Sequence, residues 1–236
     1  KWYVTLTVVW MLAALFFTVS RSSMEAQLLT RVGQAVMTCT SSACYDGLEA
    51  EERLKIGGKL RYFGDGFQGS KKLGGRRLWR VPVMDGEFVV EETFGVAKGI
   101  GGGNFFIMAE DYPTALAAAE AAVDAIGDVP GVILPFPGGI VRSGSKTSSR
   151  YKGQHVSSNT PYCPTIRTVI GDTALRSGEN AVLEIVLDGF SEEGMSRAMA
   201  VGIRAACIPG VTRITAGNYG GTLGQFQFPL HQLLKA

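Results

Sequence analysis

The stretch Val182-Leu183-Glu184-Ile185-Val186-Leu187 is apolar at every position except one. A strand apolar on both faces belongs inside a sheet, where an ionised glutamate costs several kcal/mol unless it is paired or protonated. Desolvation raises a carboxyl pKa toward the range useful for proton transfer near neutral pH. The residues leave two readings of Glu184 open: an acid–base group, or an edge-strand side chain that reaches water or pairs with an arginine such as Arg204. A second candidate is Gly101-Gly102-Gly103-Asn104, just before a strand. Without side chains its backbone N–H groups could approach a developing oxyanion; the alternative is a bulge or a tight bend. A third is the serine-rich loop carrying Arg142, Lys146, Arg150 and Lys152. It is either a solvated face or a site for the carboxylates or phosphate of a polyanionic ligand.

Other chemistries lack their residues. There is no P-loop lysine motif, no H-E-x-x-H and no G-x-S-x-G elbow. His155 and His231 each stand in a polar, solvated setting, which argues against a histidine triad. The glycines at 64, 66 and 69 match G-x-G-x-x-G literally, but Ser70-Lys71-Lys72 and the residues after them have no apolar helical period, so a tight turn is expected there. Cys39, Cys44, Cys163 and Cys207 have no zinc or redox spacing and suit reduced thiols in a cytosolic protein. What remains is carboxylate acid–base chemistry or binding alone.

The elements that must position these residues read as follows. Ser22-Ser23-Met24-Glu25 looks like a capping box. It opens a helix that buries Met24, Leu28, Leu29 and Val32 and stops at Gly33. Strands are expected over Leu60 to Phe63 and Leu78 to Val83, with Lys71, Lys72, Arg76, Arg77 and Arg80 crowding their connection. The chain then repeats itself: strand Asn104 to Glu110, helix Pro113 to Ile126, then Pro130-Gly131-Val132 leading into a strand. The second pass is strand Ala181 to Asp188, helix Ser191 to Cys207, then Pro209-Gly210-Val211 into a strand. Two interleaved βαβ units predict an α+β fold, a ferredoxin-like α/β sandwich with helices on one face of an antiparallel sheet; two unrelated crossovers are the alternative. Phe136-Pro137-Gly138-Gly139 and Gly217-Asn218-Tyr219-Gly220-Gly221 follow corresponding strands of the two halves.

Bulk composition agrees. With 46% hydrophobic and 19% charged residues the chain is globular, and a net charge of +2 is too mild to suggest nucleic acid. The apolar run Trp2 to Val19 could be a targeting or membrane-anchoring segment. Its β-branched and aromatic content makes a strand of its last third.

Seven strings in order carry a resemblance. They are Arg31-Val32-Gly33-Gln34, Tyr62-Phe63-Gly64-Asp65-Gly66, Asp85-Gly86-Glu87-Phe88, Gly102-Gly103-Asn104-Phe105, Glu120-Ala121-Ala122-Val123-Asp124-Ala125-Ile126, Phe136-Pro137-Gly138-Gly139-Ile140-Val141 and Ala216-Gly217-Asn218-Tyr219-Gly220-Gly221. Together they resemble the formylmethanofuran:tetrahydromethanopterin formyltransferases, from about Leu15 to the C-terminus. The Phe136 to Lys146 stretch, with its Arg142-Ser143-Gly144-Ser145-Lys146, looks more like the bacterial branch, whose members join a formyltransferase/hydrolase complex. Lys1 to Ala14 is unmatched, and the family's first strand and helix have no counterpart after Lys1, as in an N-terminally truncated member.

The resemblance implies two ferredoxin-like lobes, an incomplete one over residues 1–84 and a second over 85–236. It implies an oligomer, commonly a tetramer, and a cytoplasmic enzyme of one-carbon metabolism. The implied reaction is reversible formyl transfer from N-formylmethanofuran to N5 of tetrahydromethanopterin, both coenzymes acting as substrates, without a metal or bound prosthetic group. Glu184 falls on the family's strand glutamate and is carried over as the acid–base group. The substrate-binding residues expected beside it are Gly102, Gly103, Asn104, Phe136, Pro137, Gly138, Gly139, Arg142, Ser143, Lys146, Asn218 and Tyr219. A non-catalytic coenzyme-binding or scaffold subunit and a membrane-anchored protein are the competing functions.

Overall fold

In a computed structural model of the chain, residues 2–9, 12–217 and 225–235 are described, with side chains from residue 14 onward. The chain divides into two compact units, Lys1–Gly99 and Ile100–Ala236. In chain order the strands of the first are β1 (Trp2–Val9), β2 (Leu12–Thr18), β3 (Ala43–Asp46), β4 (Glu52–Leu54), β5 (Gly69–Leu73), β6 (Arg76–Val83) and β7 (Gly86–Glu91). Helices α1 (Arg21–Arg31) and α2 (Ile56–Leu60) lie among them. Strand β8 (Phe94–Ala109) begins in the first unit and continues into the second, ten residues before the Asn104 start expected from the sequence.

The end of the apolar run is indeed a strand. β2 pairs antiparallel with β1, and among the described residues no helix is long and apolar enough to cross a membrane. Three local expectations for this unit are corrected. The cap of α1 is Ser20, whose side chain accepts from the N–H of Ser23, while Glu25 turns to an ion pair with Lys59 at 2.5 Å. The helix does not stop at Gly33 but widens into a π segment over Val32–Val36, in which Val32 and Gly33 are buried. Leu60 to Phe63 is not a strand: α2 ends at Leu60 and a 3-10 turn follows over Arg61–Gly64. Two glycines make α2 a poor helix by propensity, yet a Cβ on Gly57 would sit 2.0 Å from the carbonyl oxygen of Glu91. Packing against β7 overrides propensity there. The G-x-G-x-x-G string is a turn, with Asp65 at φ 49° and Gly66 at φ 91° leading into β5. Strand β3 runs parallel to β7, a departure from an all-antiparallel sheet.

The second unit contains helices α3 (Tyr112–Gly127), α4 (Glu192–Ala206) and α5 (Leu230–Leu233). Its remaining strands are β9 (Val132–Ile133), β10 (Ile140–Val141), β11 (Ala181–Gly189) and β12 (Val211–Thr215). Here β8 pairs antiparallel with β12 on one side and β11 on the other, and β11 pairs antiparallel with β9 and β10. The order β12-β8-β11-β9, with α3 and α4 as crossovers, is the ferredoxin-like arrangement. Both helices start where their caps allow. Asp111 accepts from the N–H of Thr114 at 2.8 Å with Pro113 in the first turn, and Ser191 accepts from the N–H of Gly194 at 3.1 Å.

Strand periodicity divides the sheet into two faces. Phe105, Ile107 and Ala109 of β8 and Ala181, Leu183, Ile185 and Leu187 of β11 join the core beneath the helices. There α3 offers Ala115, Ala118, Ala119 and Ala122, and α4 offers Ala198, Gly202 and Ala206. A Cβ on Gly202 would come within 2.6 Å of Ile126, so the two helices meet along small residues. Asn104, Phe106 and Met108 of β8, with Glu184 and Asp188 of β11, belong to the opposite face.

Candidate active site

Glu184 sits in the middle of β11, facing Phe106 on β8 and Val141 on β10. Both neighbours are buried, and Glu184 itself is only 5% exposed. It is neither on an edge strand nor paired with Arg204, whose guanidinium donates instead to the Leu234 carbonyl at 3.0 Å. Among the described residues no cation lies within ion-pair distance of it; its partner is the Asn104 side chain, whose Nδ2 donates to Oε1 at 2.8 Å. Burial pushes the carboxyl above the usual carboxylate range, and the hydrogen bond from Asn104 offsets part of that rise. This is a desolvated acid with an incomplete set of partners, suited to exchanging a proton.

Part of the face is covered by the segment between β10 and β11, Asn104, Val182 and Val186 staying half-buried. Tyr162, in a 3-10 turn over Thr160–Tyr162, packs against Phe106 with ring centroids 4.8 Å apart and ring planes tilted by 43°. The far end of the segment is clamped by Glu179, which takes Nε and one terminal nitrogen of Arg213 at 2.8 and 2.7 Å and the N–H of Arg176 at 2.8 Å. Arg213 also donates to the carbonyl of Ala174, and Asn180 bonds to the backbone at Ala109 and Glu110. Near the start, Lys146 is drawn into the segment: its Nζ donates to Thr160 Oγ1 at 2.7 Å and its backbone pairs with Ser157.

The glycine run before Asn104 forms a β-bulge. Register slips between Leu187 and Gly189, Gly102 adopts φ 79°, and its N–H donates to Asp188 Oδ1 at 2.8 Å. That N–H is therefore committed within the protein and cannot act as the oxyanion donor expected of Gly102. A Cβ on Gly103 would come within 2.5 Å of Met195 Cε, the movable end of a flexible side chain. Asp188, missed in the sequence, is 6% exposed; burial raises its carboxyl pKa and the Gly102 hydrogen bond partly counters the rise. The signal was present, since positions 184 and 188 share a strand face.

Other expected contacts lie around β10, which pairs directly with Glu184. Phe136, Pro137 and Gly138 form an exposed turn before it, Gly139 is buried at φ 73° against Val123, and Arg142 and Ser143 leave it exposed. Asn218 and Tyr219 lie outside the described residues; the chain is described up to Gly217, whose N–H donates to Asn104 Oδ1 at 3.2 Å. The basic cluster of β5 and β6 in the first unit is not a row of open charges. Arg76 pairs with Glu91, Arg77 with Glu92 at 3.1 Å and Arg80 with Glu87 at 3.7 Å, so its arginines are committed to acids of the same unit.

A ferredoxin-like α+β lobe with a desolvated carboxyl in the middle of its sheet defines a class of scaffold suited to exchanging a proton. Comparison with known proteins narrows this class. The family model described as "Formylmethanofuran-tetrahydromethanopterin formyltransferase" matches residues 11–83, earlier than the expected Leu15 start, and that described as "FTR, proximal lobe" matches residues 86–233. The formylmethanofuran–tetrahydromethanopterin formyltransferase of Methylococcus capsulatus is 50% identical over 94% of this chain and 76% of its own length. Among solved structures, the formyltransferase from Methanosarcina barkeri superposes with a TM-score of 0.85 at 42% identity, over 98% of this chain and 82% of that one. The formyltransferase/hydrolase complex FhcABCD from Methylorubrum extorquens, solved with methylofuran, contains a chain with a TM-score of 0.90 at 39% identity, covering 99% and 82%. The chain belongs to the formylmethanofuran–tetrahydromethanopterin formyltransferase family.

Proposed function

We propose that the chain transfers a formyl group between N-formylmethanofuran and N5 of tetrahydromethanopterin, with Glu184 as the acid–base group. The observation that carries the assignment is the burial of Glu184 in a central strand without a cation beside it. In the forward direction the pterin N5 attacks the formyl carbon to form a C–N bond, and the carbonyl pair moves onto oxygen. Glu184 takes the proton released by the attacking nitrogen. When the oxyanion collapses, the bond from the formyl carbon to the methanofuran nitrogen breaks, and Glu184 returns the proton to that departing amine. One proton moves, and no electrons are exchanged with an outside donor. Desolvation makes the carboxyl a stronger base than it is in water, and holding both coenzymes in one cleft lowers the entropic part of the barrier.

The exposed Phe136–Gly138 turn, Arg142 and Ser143, next to the strand that pairs with Glu184, are the proposed coenzyme contacts. Gly102 is withdrawn from oxyanion support. We further infer a cytoplasmic homo-oligomer, in line with a tetramer, able to associate with other formyltransferase/hydrolase subunits; light scattering coupled to gel filtration tests its assembly. The central test is Glu184→Gln. Formyl transfer should fall by about 10²–10⁴-fold while formylmethanofuran binding, read by calorimetry, persists. Turnover near the wild-type rate would reject Glu184, and binding without turnover in the wild-type chain would mark it as a non-catalytic subunit.

A further inference from the structure

Asn104 was expected to touch a ligand, yet both ends of its carboxamide are engaged inside the protein. Nδ2 donates to Glu184 Oε1 at 2.8 Å, and Oδ1 accepts the N–H of Gly217 at 3.2 Å. The second bond fixes the orientation of the amide. A backbone N–H can only donate, so the carboxamide oxygen must face Gly217 and the nitrogen must face Glu184. In the β8–β11 ladder Asn104 lies opposite Val186, which makes its contact with Glu184 a diagonal cross-strand pair. The bulge just before it, pinned by the hydrogen bond from Gly102 to Asp188, is the kind of irregularity that re-aims a side chain.

We infer that Asn104 is a positioning residue that reserves Oε1 of Glu184 as a hydrogen-bond acceptor, leaves Oε2 to carry the proton, and ties that carboxyl to the backbone at Gly217. An amide nitrogen has no lone pair to offer. A proton on Oε1 would turn it into a hydroxyl oxygen, a weaker acceptor for the Nδ2 donor, whereas a proton on Oε2 leaves Oε1 a carbonyl oxygen and the bond intact. The carboxyl can then load and unload through one oxygen without rotating. The inference rests on the proposed role of Glu184. It adds that the acid's strength is set by a neighbour, because a donated hydrogen bond favours the charged form.

The test compares kcat/KM across pH for the wild type, Glu184→Gln, Asn104→Ala and the near-isosteric Asn104→Asp, with formylmethanofuran and tetrahydromethanopterin as substrates. Asn104→Asp keeps an acceptor for Gly217 but replaces the donor facing Glu184 with a second carboxylate. The ascending limb of the profile should move to higher pH in both Asn104 variants. The shift should be about one pH unit, hence about tenfold in rate on that limb, in Asn104→Ala, and larger in Asn104→Asp, where like charges meet. KM for both coenzymes should change little. A limb that stays at the wild-type pH in both variants overturns the positioning role, as does a rise in KM with the limb unmoved, which would mark Asn104 as a ligand contact. If Glu184→Gln keeps its turnover and its limb, the acid–base reading itself fails and this inference falls with it. An inactive Glu184→Gln with unmoved limbs in the Asn104 variants overturns only the role of Asn104.

Discussion

Glu179 and Glu184 are five residues apart, both buried, and they behave in opposite ways. Glu179 is 1% exposed and held by Arg213 through two hydrogen bonds, with the N–H of Arg176 adding a third. Burial alone would raise its pKa, but these donors outweigh that effect and hold it below the ordinary glutamate range. Among the described residues Glu184 has one neutral donor and no cation, and its pKa is raised. Loss of water is common to both. What separates a clamp from an acid is whether the protein replaces that water with charge.

Several variants would break or sharpen this contrast. The largest effect is kinetic: Glu184→Gln should lose about 10²–10⁴-fold in turnover, whereas folded Glu179→Gln should stay close to wild type. Next comes stability. Glu179→Gln leaves Arg213 without its carboxylate and should cost about 3 kcal/mol in urea unfolding, at the low end for a buried pair because Arg213 is one-fifth exposed. The pH dependence of these differences should have opposite signs. Glu179, with a lowered pKa, contributes stability that is present above the unfolded glutamate pKa of about 4.3 and is lost as pH falls through the folded value. For Glu184 the folded pKa is raised, so stability is full below about 4.3 and declines as pH rises through the folded value. Hence Glu184→Gln should be as stable as wild type in acid and more stable once pH has risen through the folded value. The smallest effect belongs to Asp188→Asn, which keeps an acceptor for Gly102 and loses a penalised charge. Its thermal midpoint at neutral pH should rise slightly, by the equivalent of about 1 kcal/mol or less.

Much of the second unit was legible because local rules and tertiary packing agree there. Ser191 and Pro113 mark helix starts, and the two Pro-Gly-Val strings precede strands, with Gly131 and Gly210 both at positive φ. Glu184 stood out because one charge interrupts an apolar strand. The first unit was read less well, since long-range contacts decide its local structure. Lys59 draws Glu25 away from a cap, and the Glu91 carbonyl requires glycine in a helix. Asp188 and the clamp at Glu179 escaped for another reason. Pairing between residues 179 and 213, or 102 and 188, has no sequence period, and only the sheet register reveals it.

The seam of alanine and glycine between α3 and α4 has a thermodynamic consequence. Alanine and glycine surrender no rotamer freedom when buried, so these helices order against each other at a small cost in side-chain entropy. Along the seam itself few side-chain rearrangements are available; Met195, Met199 and Ile203, buried on the same helix, carry the rotamer freedom of the layer beneath β8 and β11.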